Sequence, residues 1–250
     1  MDAAQTIRDA VAKVSALRAI TAATEGLSDA TRDVKRFQAR RFAGTYCDLL
    51  DSPAYAGATR FFLEELYSEK DYTQRDAQFS RIAGALQRFF PEQVAATAVA
   101  MAELHALTEE LDHEMALAWL QATAPRPQSK LESTRYIGAW LQVCRPADRE
   151  RQLSVVMQVG TELDRLTRKS GLRFTLRMMR RPAEVAGLGA LQSFLEAGFD
   201  TFAAMAGKGR VAQEFLALIR ERETAWLEKL SFGDAVASAT ELTACLTKAR

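Results

Sequence analysis

The sequence predicts an all-α fold, and three observations carry that prediction. Apolar residues recur at helical spacing along nearly the whole chain, and no segment alternates as a half-buried strand does. Ala, Leu, Glu, Arg and Gln, which form helices well, are abundant. The 250 residues include only 13 Gly and 6 Pro, so tight turns are few. Together these predict a single multi-helix domain, 1–250, of about nine or ten helices with a soft joint near 124–129.

The elements follow in order. An amphipathic helix covers about 3–23. Ser28 or Asp29 caps a second, which runs to about 50 and stops near Asp51-Ser52-Pro53. Pro53 suits a first helical turn and opens a third helix over about 53–67. SEKDYT is a loop, a fourth helix spans about 74–90, and Pro91 opens a fifth that reaches about 122. The segment APRPQS (124–129) holds two of the six prolines without apolar periodicity and reads as a linker. A helix at about 130–144, a break at Pro146 and a long helix at about 147–169 come next. Gly171 separates these from a basic helix at about 172–181. Pro182 and AGLGA lead into a helix at about 188–206, and GKG (207–209) interrupts before another at about 210–230. The tail holds one more short helix.

Composition narrows the class. The chain is 48% hydrophobic and 26% charged, ordinary values for a globular protein. A net charge of +1 gives no global attraction to nucleic acid or anionic membrane, so nucleic acid is not an expected partner. Cys47, Cys144 and Cys245 are isolated and odd in number, without CxxC spacing, which fits a reducing compartment and no zinc knuckle. The first residues lack the apolar core of a secretory signal, and no run of about 18 apolar residues exists to span a membrane. The expected address is the cytoplasm. Charge is divided unevenly: residues 64–114 carry 4 basic and 11 acidic groups, whereas 126–181 carry 13 and 5. Such patches are expected to pack on one another, within the chain or across a homodimer.

Residues 61–67 read FFLEELY. On a helix, Tyr55, Thr59, Phe62, Leu63 and Leu66 share one face and Glu64 points the other way, into water. Glu65 lies at the edge of that face. Adjacent carboxylates diverge by about 100° on a helix, so Glu64 and Glu65 cannot act together on one atom. A half-buried Glu65 requires a partner, and Arg75 is the nearest expected one. Phe61, Phe62, Glu65, Tyr67 and Arg75 therefore form a structural motif. The heptapeptide, with the flanking YCDLLDSPAY, RDAQFSRI and ELHALTEELDHEMA, resembles the signature of an uncharacterised bacterial family named for FFLEELY. That resemblance implies an all-helical, soluble bacterial protein and no particular activity.

Both histidines of the chain lie in the fifth helix. His105, Glu109, Asp112 and His113 share a broad face lined by Ala95, Ala98, Ala102 and Ala116. Glu109 is four residues from each histidine, so either His–Glu pair could supply two ligands to one metal ion. His105 and His113 are about 12 Å apart along the axis and cannot both reach it. A mononuclear site would draw further carboxylates from elsewhere, Glu65 or Glu162. Glu110-x-x-His113 matches half of a carboxylate di-iron pattern, but no third histidine completes it. The alternative is a close helix contact with His–carboxylate hydrogen bonds. AELHALTEEL also resembles, over ten residues, the globin helix that bears the axial histidine, which implies a tetrapyrrole near His105.

In RKSGLRFTLRMMRRP (168–182), Lys169, Arg173, Arg177 and Arg180 line one face, with Arg181 at its edge. Guanidinium forks suit carboxylate or phosphate, on a ligand, a nucleic-acid backbone or a membrane. The competing reading neutralises them with the acidic half of the fold. AGLGA has no preceding strand, and neither a phosphate loop nor a nucleophile elbow is present. The expectation is a non-catalytic cytoplasmic binding or scaffold protein with a protein partner or a second copy of itself. The second expectation is a ligand-binding protein that holds a metal ion or tetrapyrrole near His105, with Arg173, Arg177 and Arg180 meeting its anionic groups. No cofactor is identified.

Overall fold

The computed structural model describes residues 2–65, 70, 72–89, 92–122, 129–169, 171–206 and 210–249, and among them every regular element is a helix. In chain order these are α1 (Ala3–Ala23), α2 (Leu27–Thr45), α3 (Cys47–Leu50), α4 (Ala56–Glu65), α5 (Thr73–Phe89), α6 (Glu92–Gln121) and α7 (Ser129–Val143). Then come α8 (Pro146–Thr167), α9 (Leu172–Met178), α10 (Arg180–Val185), α11 (Gly189–Ala206), α12 (Val211–Phe232) and α13 (Ala235–Leu246). Among the described residues no helix is long and apolar enough to cross a membrane.

Thirteen helices exceed the nine or ten expected, partly because two predicted helices divide. The segment expected to run unbroken to about 50 breaks at Tyr46, whose backbone turns to φ −114° and ψ 22°. Its ring is fully buried, tilted against Phe42 at 4.4 Å, and its hydroxyl donates to the Glu223 carboxylate at 2.9 Å. Tertiary packing holds this break, which falls two residues after Gly44. The basic segment divides at Met179 into α9 and α10. The start of α2 also differs: Gly26, at φ 74°, turns the chain between α1 and α2, so neither Ser28 nor Asp29 is the cap. Pro146 is the first residue of α8 rather than a break. The expected joint at 124–129 lies outside the described residues except for Ser129, which opens α7.

The contacts group the chain into two compact units. Unit one is Met1–Ser15, Lys70–Ala106 and Ser154–Ala217; unit two is Ala16–Glu69, Leu107–Leu153 and Leu218–Arg250. In unit one, α5 packs on α11, and α9 and α10 pack on α11 as well. A small core joins Ile7 of α1, Ala83 of α5, and Ala98 and Ala102 of α6. Ala98 and Ala102 of the alanine face read from the sequence pack in this core. Gln78 and Gln87 on α5 add polar fasteners by accepting from the Leu191 and Ala4 amides, both at 2.8 Å.

Unit two is built on α2, α7 and α13. Leu27, Ala30, Val34 and Phe37 form an apolar stripe at three- and four-residue spacing on α2. Phe37 stacks on Tyr136 at 4.3 Å and lies tilted to Trp119 at 6.3 Å. Arg41 continues that stripe and is buried, where it pairs with Glu223. A buried ion pair is tolerated only when both charges are met, and the Tyr46 hydroxyl supplies a further bond to the same carboxylate. Asp234 caps α13 by accepting from the Ala237 amide at 2.8 Å.

Candidate functional site

In unit one, His105 reaches across from α6 to α5. Its Nε2 lies 2.9 Å from Oδ2 of Asp76, a buried carboxylate, and the Tyr72 ring meets the imidazole edge-on at 6.5 Å. Arg75 lies 3.9 Å over the Tyr72 ring and 4.6 Å over Phe194, with its Nε 3.8 Å from Asp76. The aromatic rings and the Asp76 carboxylate thus surround its guanidinium.

Each candidate ligand of the fifth predicted helix has a protein partner within its own unit. His105 is committed to Asp76, and in unit two His113 Nδ1 lies 2.9 Å from the Thr21 hydroxyl. Glu109 Oε1 accepts from Arg18 at 3.2 Å and Lys35 at 3.0 Å. The neighbouring helices supply each of these side chains with a different partner. Glu162, a further candidate ligand, pairs with Arg165, which holds its carboxyl below the usual range. Among the described residues, no group of three or more His, Cys, Asp or Glu is placed to hold a metal ion.

Unit two holds a cleft between α1, α2 and α6. Its volume is about 140 Å³, and its ionisable lining is Arg18 from α1, Lys35 from α2, and Glu109 and His113 from α6. Thr21, Ser28 and Thr31 add hydroxyls. Asp112 lies behind, 3.9 Å from the Lys35 ammonium, and accepts from Gln38 at 3.0 Å. Burial pushes the Asp112 carboxyl up against the pull of Lys35 and Arg149. Burial pulls the Lys35 ammonium down, but Asp112 and Glu109 outweigh it and hold it above the usual value. Arg18 and Lys35 were not singled out in the sequence. Lys35 sits one position off the apolar stripe of α2, which is the only local sign that it is drawn inward.

The arginines of the basic stretch are also partnered. Arg173 and Arg177 bond to Asp200 at 2.7 and 3.4 Å, and Arg180 bonds to Glu196 at 2.6 and 2.8 Å. Gln192 donates to Glu196 as well, at 2.9 Å. Arg180 holds the Glu196 carboxyl below its usual range. The expected source of neutralisation was the acidic region 64–114, whereas these acids come from α11. Asp200 takes both Arg173 and Arg177 of α9, and Glu196 takes Arg180 of α10. In unit two the expected pairing does occur at Arg145, which meets Glu110 at 3.1 Å and Glu114 at 2.8 Å.

The described residues of the heptapeptide, 61–65, lie on α4. Phe62 is 3% exposed, stacked with Phe42 at 6.4 Å and edge-on to Phe61 at 6.4 Å. Glu64 is exposed, Glu65 is half-buried on α4, and Tyr67 lies outside the described residues. A second cleft of about 310 Å³ in unit two borders Thr45, Trp226 and Cys245. Burial pushes the Cys245 thiol up, which keeps it protonated and a poor nucleophile.

Comparison with known proteins gives a family and no activity. One family, described as a domain of unknown function (DUF8198), matches residues 17–237. No curated protein and no solved structure matches the chain. The family match takes in α2 to α12 whole, together with the cleft and the arginine helices, and on it the chain belongs to this family of uncharacterised domains.

Proposed function

We propose that the chain is a cytoplasmic, non-catalytic binding or scaffold protein. One observation carries this reading: each ionisable side chain that would serve chemistry is tied to another helix of its own unit. His105 is held by Asp76, His113 by Thr21, and Glu109 by Arg18 and Lys35. Arg173 and Arg177 are held by Asp200, and Arg180 by Glu196. Each of these hydrogen bonds or ion pairs joins two helices, so the groups have a role in holding the fold. Exposed Phe174, Met178 and Val185 on α9 and α10 support the scaffold part of the reading, because apolar side chains gathered at a surface favour partner contact.

The test is to express wild type and His105→Gln with iron, zinc and haem precursor supplied, and to measure metal content and the visible spectrum. The reading expects no stoichiometric species in either. A metal or chromophore present in wild type and lost in the variant would replace it with the ligand-binding reading centred on His105.

A further inference from the structure

We propose that the outward face of α9 and α10, carried by Phe174, Met178, Arg181 and Val185, docks the protein on an anionic lipid bilayer. The inference rests on the binding reading above and names the partner.

The winding of the segment sets this face. Met179 joins the two helices in a right-handed helical conformation. Its amide donates to the Thr175 carbonyl at 3.2 Å and its carbonyl accepts from the Ala183 amide at 2.8 Å, so the winding carries across the joint. At about 100° per residue, Leu172, Leu176 and Ala183 fall on one side, and Phe174, Met178, Arg181 and Val185 fall on the other. Burial follows that division. Ala183 is buried and Leu172 and Leu176 are half-buried, whereas Phe174 is 69% exposed, Met178 62% and Val185 92%. A surface helix ordinarily turns its apolar stripe to the core and its polar residues to water. Here both helices pack on α11 and still leave an apolar stripe outward, a surface that calls for a covering.

Charge selects the covering. The net charge of +1 hides a local excess: between Asp164 and Glu196 the chain holds seven bases and one acid, Glu184. Arg173, Arg177 and Arg180 flank the stripe, where three guanidinium charges meet two carboxylates, Asp200 and Glu196. Arg181 stands within the stripe, exposed, and among the described residues no hydrogen bond or ion pair holds it. Outward apolar side chains ringed by bases are the composition of an interfacial helix. Its apolar side chains enter the headgroup boundary while its bases meet anionic headgroups. Two other coverings fit less well. In a twofold contact with a second copy, each stripe would meet itself and bring two Arg181 charges together. A protein partner would have to supply a matching pocket for each protruding side chain, whereas a bilayer accepts them in any arrangement.

The full chain is floated with vesicles of phosphatidylcholine alone and with about one-third phosphatidylglycerol, at about physiological ionic strength. Co-flotation with the anionic vesicles only is expected. Arg181→Gln should weaken the partition about fivefold, as loss of one base at a charged surface does. Phe174→Ser combined with Met178→Ser should weaken it at least about tenfold, as loss of inserted apolar area does. These positions are exposed, so melting temperatures measured alongside should not move. No binding to the anionic vesicles would overturn the proposal. So would equal binding to both vesicle types, or binding that the double serine variant retains in full. Sedimentation velocity of the same proteins reads the rival. Self-association that the serine substitutions abolish, without vesicle binding, would assign the stripe to a second copy and overturn the lipid assignment. If the serine variant does not fold, Arg181→Gln and the two vesicle types decide the matter. Failure here leaves the non-catalytic reading standing, because metal content and the visible spectrum test that reading separately.

Discussion

Gly44 on α2 offers the sharpest test of how unit two is packed. A Cβ built there would lie 2.1 Å from the carbonyl oxygen of Cys245, 2.8 Å from its carbonyl carbon and 3.0 Å from its sulfur. The nearest obstacle is backbone near the end of α13, so no rotamer change relieves it. Relief requires shifting a helix whose Leu242, Cys245 and Leu246 are buried in the same unit. Overpacking costs about 1–3 kcal/mol and more where backbone must move. Against this, Ala gains about 1 kcal/mol over Gly inside a helix. The clash wins, and Gly44→Ala should lose at least about 2 kcal/mol net. Gly138 on α7 is the control, since nothing lies within 4 Å of its added Cβ. Gly138→Ala should therefore gain about 0.5–1 kcal/mol. Urea denaturation of both variants, with unchanged m-values, gives the comparison. If Gly44→Ala were as stable as Gly138→Ala, the close approach of α2 and α13 would be wrong.

Phe62→Ala should cost about 3–5 kcal/mol as a core truncation, whereas Glu64→Ala should stay within about 0.5 kcal/mol; equal losses by chemical denaturation would mean the face of α4 is misassigned. Asp112 has its carboxyl pushed up in the fold, so the folded state holds that proton more tightly than the unfolded chain. Its contribution to stability is present below the unfolded carboxylate value of about 3.9 and is lost as pH rises toward the folded value. Melting curves across this window should flatten in Asp112→Asn, and an unchanged slope would rule the assignment out. Asp200 holds Arg173 and Arg177, so wild type should elute from heparin at low salt and Asp200→Asn at higher salt. Identical elution would mean those pairs do not restrain the arginines.

The sequence shows which faces of the helices are apolar but not which helix meets which. The first helix was legible to its ends, about 3–23 against Ala3–Ala23, because its periodicity is uninterrupted. The break at Tyr46 was not, because a buried ring and a hydrogen bond to distant Glu223 hold it, and nearby Gly44 alone does not distinguish a break from a close helix contact. The sequence places His105, Glu109 and His113 on one helix, and all three lie in α6. What they meet was hidden, because Asp76, Thr21, Arg18 and Lys35 come from other helices and periodicity does not rank partners. The arginine helix was legible as a charged face, but its partners were not, because Asp200 takes two arginines and Glu196 a third in a pairing that spacing alone does not give. Gly26 was also readable, since a glycine between two amphipathic segments marks a left-handed turn more directly than the Ser28 and Asp29 that follow it.

The central claim is that the charged side chains at the candidate positions fasten helices together, and the His105–Asp76 pair tests it most directly. A double-mutant cycle with His105→Gln and Asp76→Asn, read by urea denaturation, isolates the energy the two share. The structure places their polar atoms at 2.9 Å with Asp76 buried, so a coupling of about 1–2 kcal/mol is expected. Additive effects, with a coupling below about 0.3 kcal/mol, would contradict the claim and return His105 to the list of groups available for a ligand.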